Sequence, residues 1–381
     1  MRIAVLGAGP VGLDTALAGV AAGAEVRVLE AAPRAGAGVR AWGHVRLFTP
    51  WSMDVSDRMR AAVPGLPDSE DECPTGHEFA DRVLDPVAEA LGPDVLRTGT
   101  RVLGVARAGR LRHEAIGDPA RADTPFRILL TDAAGHEWSE YADVVVDATG
   151  SYGRGNPLGD GGLPAAGEAA CDERIVRTLP DVAAGGWDGT TLLVGAGKSA
   201  QTAARDLAEV PGARVTWVVR DPDPDWGAVP DDPLPSRQAL VTHAREHPGV
   251  VRGAVVDRLE PDGAGLVATL RDRQGGTERV RADRVLALTG YQGDPGLTRQ
   301  VQVHECWATG APMNLAASLL AAAGDGPADC LAQPAAGIDT LRSPEPDLFV
   351  LGMKSYGRSS AFLLRVGYSQ VDEVVGSLVP A

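Results

Sequence analysis

The chain contains very little lysine and carries an excess of acidic residues. Of its 36 basic residues only two are lysines, Lys198 and Lys354, and the formal net charge is -15. Such an acidic protein repels polyphosphate backbones and anionic lipid headgroups, so we expect neither nucleic acid nor a membrane surface as a partner. The sequence also lacks any uninterrupted run of about 18 apolar residues, which argues against a membrane span.

Cysteine is scarce as well, and it is widely spaced. The four cysteines are Cys73, Cys171, Cys306 and Cys330, without a CxxC pair. The histidines are equally scattered, so no metal site is predicted. We expect a reduced, cytoplasmic protein in which a redox-active dithiol has no obvious carrier, although distant cysteines can still meet in space. No GxSxG elbow or Walker lysine motif supports hydrolase or NTPase chemistry.

The strand and helix patterns that are present predict two similar α/β domains. Strand, helix and strand patterns at residues 2–6, 13–22 and 25–29 recur at residues 190–194, 201–210 and 214–219. The predicted fold class is α/β, with two Rossmann-like dinucleotide-binding domains of three layers (ββα). We expect a first domain at residues 1–155 and a second at 156–300. Residues 301–381 are expected to return and complete the first domain.

The first βαβ unit carries a complete dinucleotide fingerprint. A GxGxxG turn separates the strand from the helix, and an acidic residue follows the second strand. The glycines allow a tight turn and close approach of a pyrophosphate to the helix N-terminus, while the acid accepts hydrogen bonds from ribose hydroxyls. The predicted binding residues are Gly7, Gly9, Pro10, Val11, Gly12 and Glu30.

The second βαβ unit has the same turn but ends its second strand in arginine. An arginine at this place suits a 2′-phosphate better than a ribose diol, although a solvated surface charge is the alternative role. A lysine and a serine near the helix start can also contact phosphate. The predicted binding residues are Gly195, Gly197, Lys198, Ser199, Ala200 and Arg220. An acid in one unit and an arginine in the other predict two different dinucleotides, FAD in the first and NADPH in the second.

Several further segments extend this pattern into a family resemblance. They are the strand ends at residues 147–150 and 288–291 and the segment at residues 346–352. With both glycine turns, they resemble the two-dinucleotide-binding-domain flavoproteins, which include class B flavin monooxygenases and N-hydroxylating monooxygenases. The resemblance implies that Thr149 and Gly150 cross between domains and that Val102 contacts adenine through its backbone. It also implies that Gly352 and Met353 bring backbone amides to the flavin ring.

Segments at residues 42–51, 162–168 and 352–358 resemble a bacterial subgroup described only as monooxygenases or oxidoreductases. The FxGxxxHxxx(Y/F) run of Baeyer–Villiger enzymes is missing between residues 150 and 195. The resemblance implies that two loops approach the isoalloxazine, where cations stabilise the reduced flavin and aromatic rings exclude water. The candidates are Trp42, His44, Arg46, Trp51, Lys354, Ser355 and Tyr356. Ordinary packing and surface charge are their alternative roles.

The function that we expect is oxygenation of a small nucleophilic substrate. In this hypothesis NADPH reduces FAD by hydride transfer, the flavin captures O2, and a C4a-hydroperoxyflavin oxygenates the substrate at N or S. An NADPH-dependent flavin reductase or oxidase that inserts no oxygen is the first alternative, and a non-catalytic nucleotide-binding partner protein is the second. The sequence specifies neither the substrate nor the oligomeric state.

Overall fold

The computed structural model describes residues 1–323 and 337–378. The chain forms two compact units, one of Met1–Tyr152 with Gln292–Ala381 and one of Gly153–Tyr291. We call them the first and the second unit. Cys330 lies outside the described residues. Within the described ranges, no helix combines the length and the hydropathy that crossing a bilayer requires.

The N-terminal part of the first unit alternates strands and helices. Its strands are β1 (Arg2–Leu6), β2 (Glu25–Leu29), β3 (Leu96–Arg97), β4 (Thr100–Arg107), β5 (Phe126–Asp132), β6 (Glu137–Ala142) and β7 (Val144–Asp147). Its helices are α1 (Pro10–Ala21), α2 (Ala37–Arg40), α3 (Trp51–Asp54), α4 (Asp57–Ala62), α5 (Gly76–Phe79) and α6 (Asp85–Leu91). A π-helical stretch, Ala80–Leu84, joins α5 to α6.

The second unit repeats this arrangement, and the chain then returns to the first. The strands of the second unit are β8 (Ile175–Val176), β9 (Gly189–Val194), β10 (Ala213–Val219), β11 (Val250–Arg252), β12 (Ala254–Asp262), β13 (Gly265–Asp272), β14 (Thr277–Ala282) and β15 (Arg284–Ala287). Its helices are α7 (Lys198–Ala208) and α8 (Pro235–Glu246). The described C-terminal elements are α9 (Met313–Ala323), α10 (Ile338–Leu341), β16 (Leu348–Val350) and α11 (Leu364–Leu378).

The first unit is built around a five-stranded parallel sheet in the order β16-β7-β1-β2-β3. Its central strands are apolar on both faces because both faces are covered. Ile3 and Val5 face a core that includes residues of α1 and α11, while Ala4 and Leu6 face the antiparallel sheet β4-β5-β6. These are the three predicted layers. Strand β16 confirms that the C-terminal segment completes the first unit.

The second unit has the same layers around the parallel sheet β11-β10-β9-β15-β8. Leu192 and Val194 face the antiparallel sheet β12-β13-β14, while Leu193 packs with residues of α7 and α8. The predicted α/β class with two Rossmann-like domains is therefore confirmed.

Several observed strands differ from those that the sequence patterns predict. The apolar pattern of residues 250–259 predicts one strand, but Gly253, with φ of +69°, separates β11 from β12, and these strands belong to different sheets. A left-handed residue turns the chain where the apolar pattern continues. Strands β3, β6 and β14 were not predicted. They are short or strongly polar, so they carry a weak alternation signal.

Candidate functional site

The first glycine turn is packed tightly at its ends and open in the middle. Gly7 has φ of +95°, and a Cβ there would lie 2.9 Å from the carbonyl oxygen of Ala148. A Cβ on Gly12 would lie 2.0 Å from the carbonyl oxygen of Gly7, whereas a Cβ on Gly9 would meet no described atom within 4 Å. The outer glycines are thus required by packing, while Gly9 leaves free space beside the backbone.

That free space lies at the N-terminus of α1. Gly9 is the N-cap, no side chain caps the helix, Pro10 occupies the first turn, and the first turn contains no acidic residue. The first backbone N–H groups of the helix therefore retain their partial positive charge. An uncapped helix start beside an open glycine fits the pyrophosphate of a dinucleotide. Val11 is buried and packs beside Gly352.

Glu30 stands at the carboxyl end of β2, next to this turn. Its carboxylate accepts hydrogen bonds from the backbone N–H groups of Ala8 and Ala32, both at 2.8 Å. The carboxylate thus lies against the glycine turn, at the carboxyl end of β2. A groove of about 490 Å³ opens beside the loop after Glu30, lined in part by Arg34 and Thr98. Val102 lies in β4 opposite Leu130, beside an irregularity in the β4–β5 register.

The second glycine turn repeats this geometry. Gly195 has φ of +130°, and a Cβ there would lie 2.2 Å from the carbonyl oxygen of Leu288. Gly197 caps α7, is open to space, and has neither a side-chain cap nor an acid in the first turn. Ala200 is fully buried against the sheet, and Ser199 is half-buried. This turn is therefore a second cradle suited to a pyrophosphate.

The strand register shows which residue of the second unit corresponds to Glu30, and it is not the arginine that the sequence pattern suggested. The N–H of Gly7 donates to the carbonyl of Leu29, and the N–H of Gly195 donates to that of Val218. The residue equivalent to Glu30 is therefore Val219, not Arg220, which follows one position later. Val219 is buried and has no side-chain acceptor for a ribose hydroxyl, while Arg220 is exposed.

Lys198 does not present a free ammonium group at the helix start. Its Nζ donates to the carbonyl oxygen of Trp226 at 2.9 Å and to Oε1 of Gln201 at 3.3 Å. Burial, and secondarily the positive charge of Arg237, lowers the pKa of Lys198 to about 8. Sequence reasoning missed Gln201 and Trp226, because neither belongs to the glycine pattern.

Lys354 is likewise engaged inside the first unit. Its Nζ lies 2.5 Å from Oδ2 of Asp147 and donates to the carbonyl oxygen of Asp294 at 2.8 Å. Asp147 is fully buried and also accepts a hydrogen bond from Oγ1 of Thr149 at 2.6 Å. The charge of Lys354 is thus neutralised by Asp147. Lys354 is therefore ion-paired rather than free, and a role of its charge beside reduced flavin stays a prediction.

The segment after β16 also differs from the expectation. The N–H of Gly352 donates to Oε1 of Gln370 at 2.8 Å, so this amide is already used within the protein. Ser355 is buried, and its hydroxyl donates to the carbonyl of Gly352. Tyr356 is only 1% exposed, which leaves it no surface for a ligand. Met353 is half-buried. Packing around α11 therefore accounts for most of this segment.

The four candidates in the N-terminal loop separate in space. Trp51 is fully buried in the core beside Phe79, and so does not line a pocket. Arg46 points to the surface, where it donates to the carbonyl oxygen of Cys73. Trp42 is half-buried. His44 is half-buried with a buried Nε2 that has no partner among the described residues. Of the four, Trp42 and His44 remain candidates for the pocket.

Thr149 and Gly150 lie where β7 ends, beside the first glycine turn. The backbone N–H of Thr149 donates to Oδ1 of Asp147 at 3.1 Å, and Gly150 has φ of +71°. Because β1, β2, β7 and β16 run parallel, their carboxyl ends meet at one edge of the sheet, where ligands of α/β proteins bind. That edge brings together the glycine turn, Glu30 and residues 147–150.

Solved structures of other proteins match this chain over its whole length. No protein-family model matches the sequence, and no curated protein matches it. Solved structures do match, at low sequence identity. Bacillithiol disulfide reductase from Bacillus cereus is 19% identical with a TM-score of 0.71, covering 100% of this chain and 99% of that one. Thioredoxin reductase from T. acidophilum is 15% identical with a TM-score of 0.65, covering 99% and 98%.

A third similar structure belongs to a different enzyme class. It is the FAD-bound cadaverine monooxygenase of desferrioxamine biosynthesis from Erwinia amylovora. That enzyme is 16% identical with a TM-score of 0.64, and the match covers 100% of this chain and 95% of that one. Reductases and monooxygenases thus share this architecture. The chain has the fold of the two-dinucleotide-binding-domain flavoproteins, as its sequence motifs predicted.

Proposed function

We propose that the protein is an FAD-dependent, NADPH-using oxidoreductase, and more specifically a flavin monooxygenase that oxygenates a small nucleophilic substrate. The observation that carries the proposal is the pair of glycine turns. Each joins a parallel strand to an uncapped helix, and each leaves its middle glycine, Gly9 or Gly197, open to space. Two such cradles suit two dinucleotides, as hydride transfer between cofactors requires.

FAD is assigned to the first unit. Glu30 would accept hydrogen bonds from the ribose hydroxyls, and the N–H groups at the start of α1 would hold the pyrophosphate. Bound FAD would supply hydride acceptance and, in its reduced form, reactivity toward O2, chemistry that side chains do not supply.

NADPH is assigned to the second unit. Val219 at the position of Glu30 removes the carboxylate that would hold a ribose diol and repel a 2′-phosphate. Exposed Arg220 adds a positive charge next to it. Arginine binds phosphate through a planar fork of donors, so this arrangement favours NADPH over NADH.

The cysteines favour oxygenation over disulfide reduction. The sequence has no CxxC pair. Cys73, Cys171 and Cys306 are unpaired within the described residues, and Cys171 is buried in the core of the second unit. A dithiol reductase needs two neighbouring thiols to take electrons from the flavin, whereas oxygenation of a bound substrate needs none.

One observation favours the alternative, an NADPH-dependent reductase that inserts no oxygen. Hydrogen bonds from the Thr309 side chain, and from the backbone of Thr309 and Ala308, lower the pKa of the Cys306 thiol. A thiol with a lowered pKa is more often ionised and more nucleophilic at neutral pH. Cys306→Ser separates the two functions, because it would abolish thiol-based reduction and leave oxygenation intact.

The decisive experiment combines absorbance with product analysis. We expect the purified protein to show flavin absorbance, to be bleached by NADPH in preference to NADH, and to form an oxygenated product from an amine or a thiol in air. A colourless protein that takes up no added FAD would refute the cofactor assignment. Release of all consumed oxygen as hydrogen peroxide with every substrate would refute oxygenation.

The NADPH assignment has its own variant. Arg220→Asp should lower kcat/KM for NADPH by about 10²-fold, because it replaces a charged phosphate donor with a like charge. Activity with NADH should change little. Arg273→Asp, at an exposed hairpin residue of the same unit, is the matched control for net charge. Equal effects of the two substitutions would contradict the assignment.

A further inference from the structure

The second glycine turn is tied to the loop that follows Arg220 by a buried polar network. Gln201 on α7 is fully buried, and its Nε2 donates at 2.9 Å to the carbonyls of both Ala196 and Trp226. Lys198 donates to the same Trp226 carbonyl at 2.9 Å. Two side chains of one helix thus share a single acceptor in the loop.

Trp226 is held in an unfavourable backbone conformation. Its φ is +62°, in the left-handed region that residues other than glycine rarely adopt. The ring is only 3% exposed and lies 4.9 Å from the ring of Trp217, whose Nε1 donates to the carbonyl of Gly195 at 2.7 Å. Strained residues persist only where their surroundings hold them. Here the surroundings are the glycine turn itself and the start of α7.

We propose that Lys198 and Gln201 are positioning residues that hold the loop 221–234, and Arg220 at its start, against the second glycine turn. This inference rests on the proposed function of that turn as an NADPH site. Lys198 then contributes to dinucleotide binding through Trp226 rather than as a phosphate ligand. Without the two donors, Trp226 relaxes from its left-handed conformation, and the loop loses its fixed place beside the turn.

The buried position of Gln201 separates this role from direct phosphate binding. Gln201 is 0% exposed, so no atom of it is available to a dinucleotide. A direct ligand role for Lys198 predicts that changing Gln201, whose Oε1 accepts from Nζ of Lys198 at 3.3 Å, lowers dinucleotide affinity far less than changing Lys198 itself. A positioning role predicts that changing either residue has a similar effect, and that changing both adds little because they act as a unit.

The test uses the whole 381-residue chain loaded with FAD. Lys198→Met and Gln201→Met keep most of the side-chain length and remove the hydrogen-bond donors. We expect each to raise the KM for NADPH and the Kd for NADP+ about tenfold, because displacement of Arg220 would weaken one charge-assisted hydrogen bond to the 2′-phosphate. We expect kcat at saturating NADPH to stay within about twofold, because only binding is affected. Lys198→Arg should restore most of the affinity.

A nucleotide-free readout accompanies the kinetics. Chymotrypsin should cleave after Trp226 faster in both Met variants than in the wild type, because the buried ring is released. If Lys198→Met weakens binding and Gln201→Met does not, Lys198 is a direct ligand and the proposal is wrong. Unchanged affinity and unchanged cleavage in both variants overturn it as well. Failure of the proposed function shows separately, as a wild-type protein that NADPH does not bleach.

Discussion

Replacement of Lys354 by methionine tests whether this lysine is a structural ion-pair partner or a cation that acts on the flavin. Lys354 is 7% exposed and Asp147 is 0% exposed, with 2.5 Å between Nζ and Oδ2. Methionine keeps most of the side-chain volume but leaves the carboxylate of Asp147 buried without its counter-ion. Thr149 still donates to Oδ1 of Asp147, so part of the hydrogen bonding survives.

The Lys354→Met substitution should lower the free energy of unfolding by a large amount for a single change. Removal of one partner of a buried ion pair costs about 3–5 kcal/mol, because an uncompensated charge remains. Each kcal/mol lowers Tm by roughly 2–4 °C in a unit of this size, so we expect a fall on the order of 10 °C. Thermal and urea unfolding of the Lys354→Met protein measure this loss. The double variant Lys354→Met/Asp147→Asn should recover most of it, because the buried charge is removed as well.

A matched control separates burial from charge. Arg2 pairs with Asp143 at 2.6 Å, but their side chains are 42% and 43% exposed. Arg2→Met should therefore cost about 1 kcal/mol or less, since exposed ion pairs contribute little. The reasoning is refuted if Lys354→Met costs no more than Arg2→Met. A changed flavin reduction potential at unchanged stability would instead support the role that the sequence suggested for Lys354.

Two further predictions concern the glycine turn and a buried acid. Gly12→Ala should lower the free energy of unfolding by about 3 kcal/mol, because its Cβ would lie 2.0 Å from the carbonyl oxygen of Gly7. Gly9→Ala should change the free energy of unfolding by less than about 1 kcal/mol and yet weaken FAD binding. Equal stability of the two variants would contradict this. Burial raises the pKa of Asp54 from 3.8 to about 7. The folded state therefore favours protonated Asp54, and the folding free energy becomes less favourable as pH rises from about 4 through 7, because the unfolded chain loses this proton first. The Asp54→Asn variant cannot ionise at this position. It should be more stable than the wild type at pH 8, by up to roughly 4 kcal/mol, but not at pH 4. A difference in Tm between Asp54→Asn and the wild type that does not change with pH would argue against a raised pKa of Asp54.

The sequence by itself determined the parts of the protein that depend on local patterns. Strands β1 and β2 have the predicted bounds, because a short apolar run between turn residues marks a buried parallel strand. Both glycine turns were predicted because tight turns require glycine at fixed spacing. The return of the C-terminal segment to the first unit was also predicted, and in the structure β16 pairs with β7.

The tertiary structure alone decided which residues meet at the candidate sites. Lys354 meets Asp147 across 207 positions of sequence, and no local pattern encodes that pairing. The place of Val219 opposite the second turn depends on a one-residue register that only the hydrogen bonds between strands fix. Trp51 lies in the core although its loop resembles a pocket segment. Sequence specifies backbone turns because they are local, whereas side-chain partners follow from long-range packing.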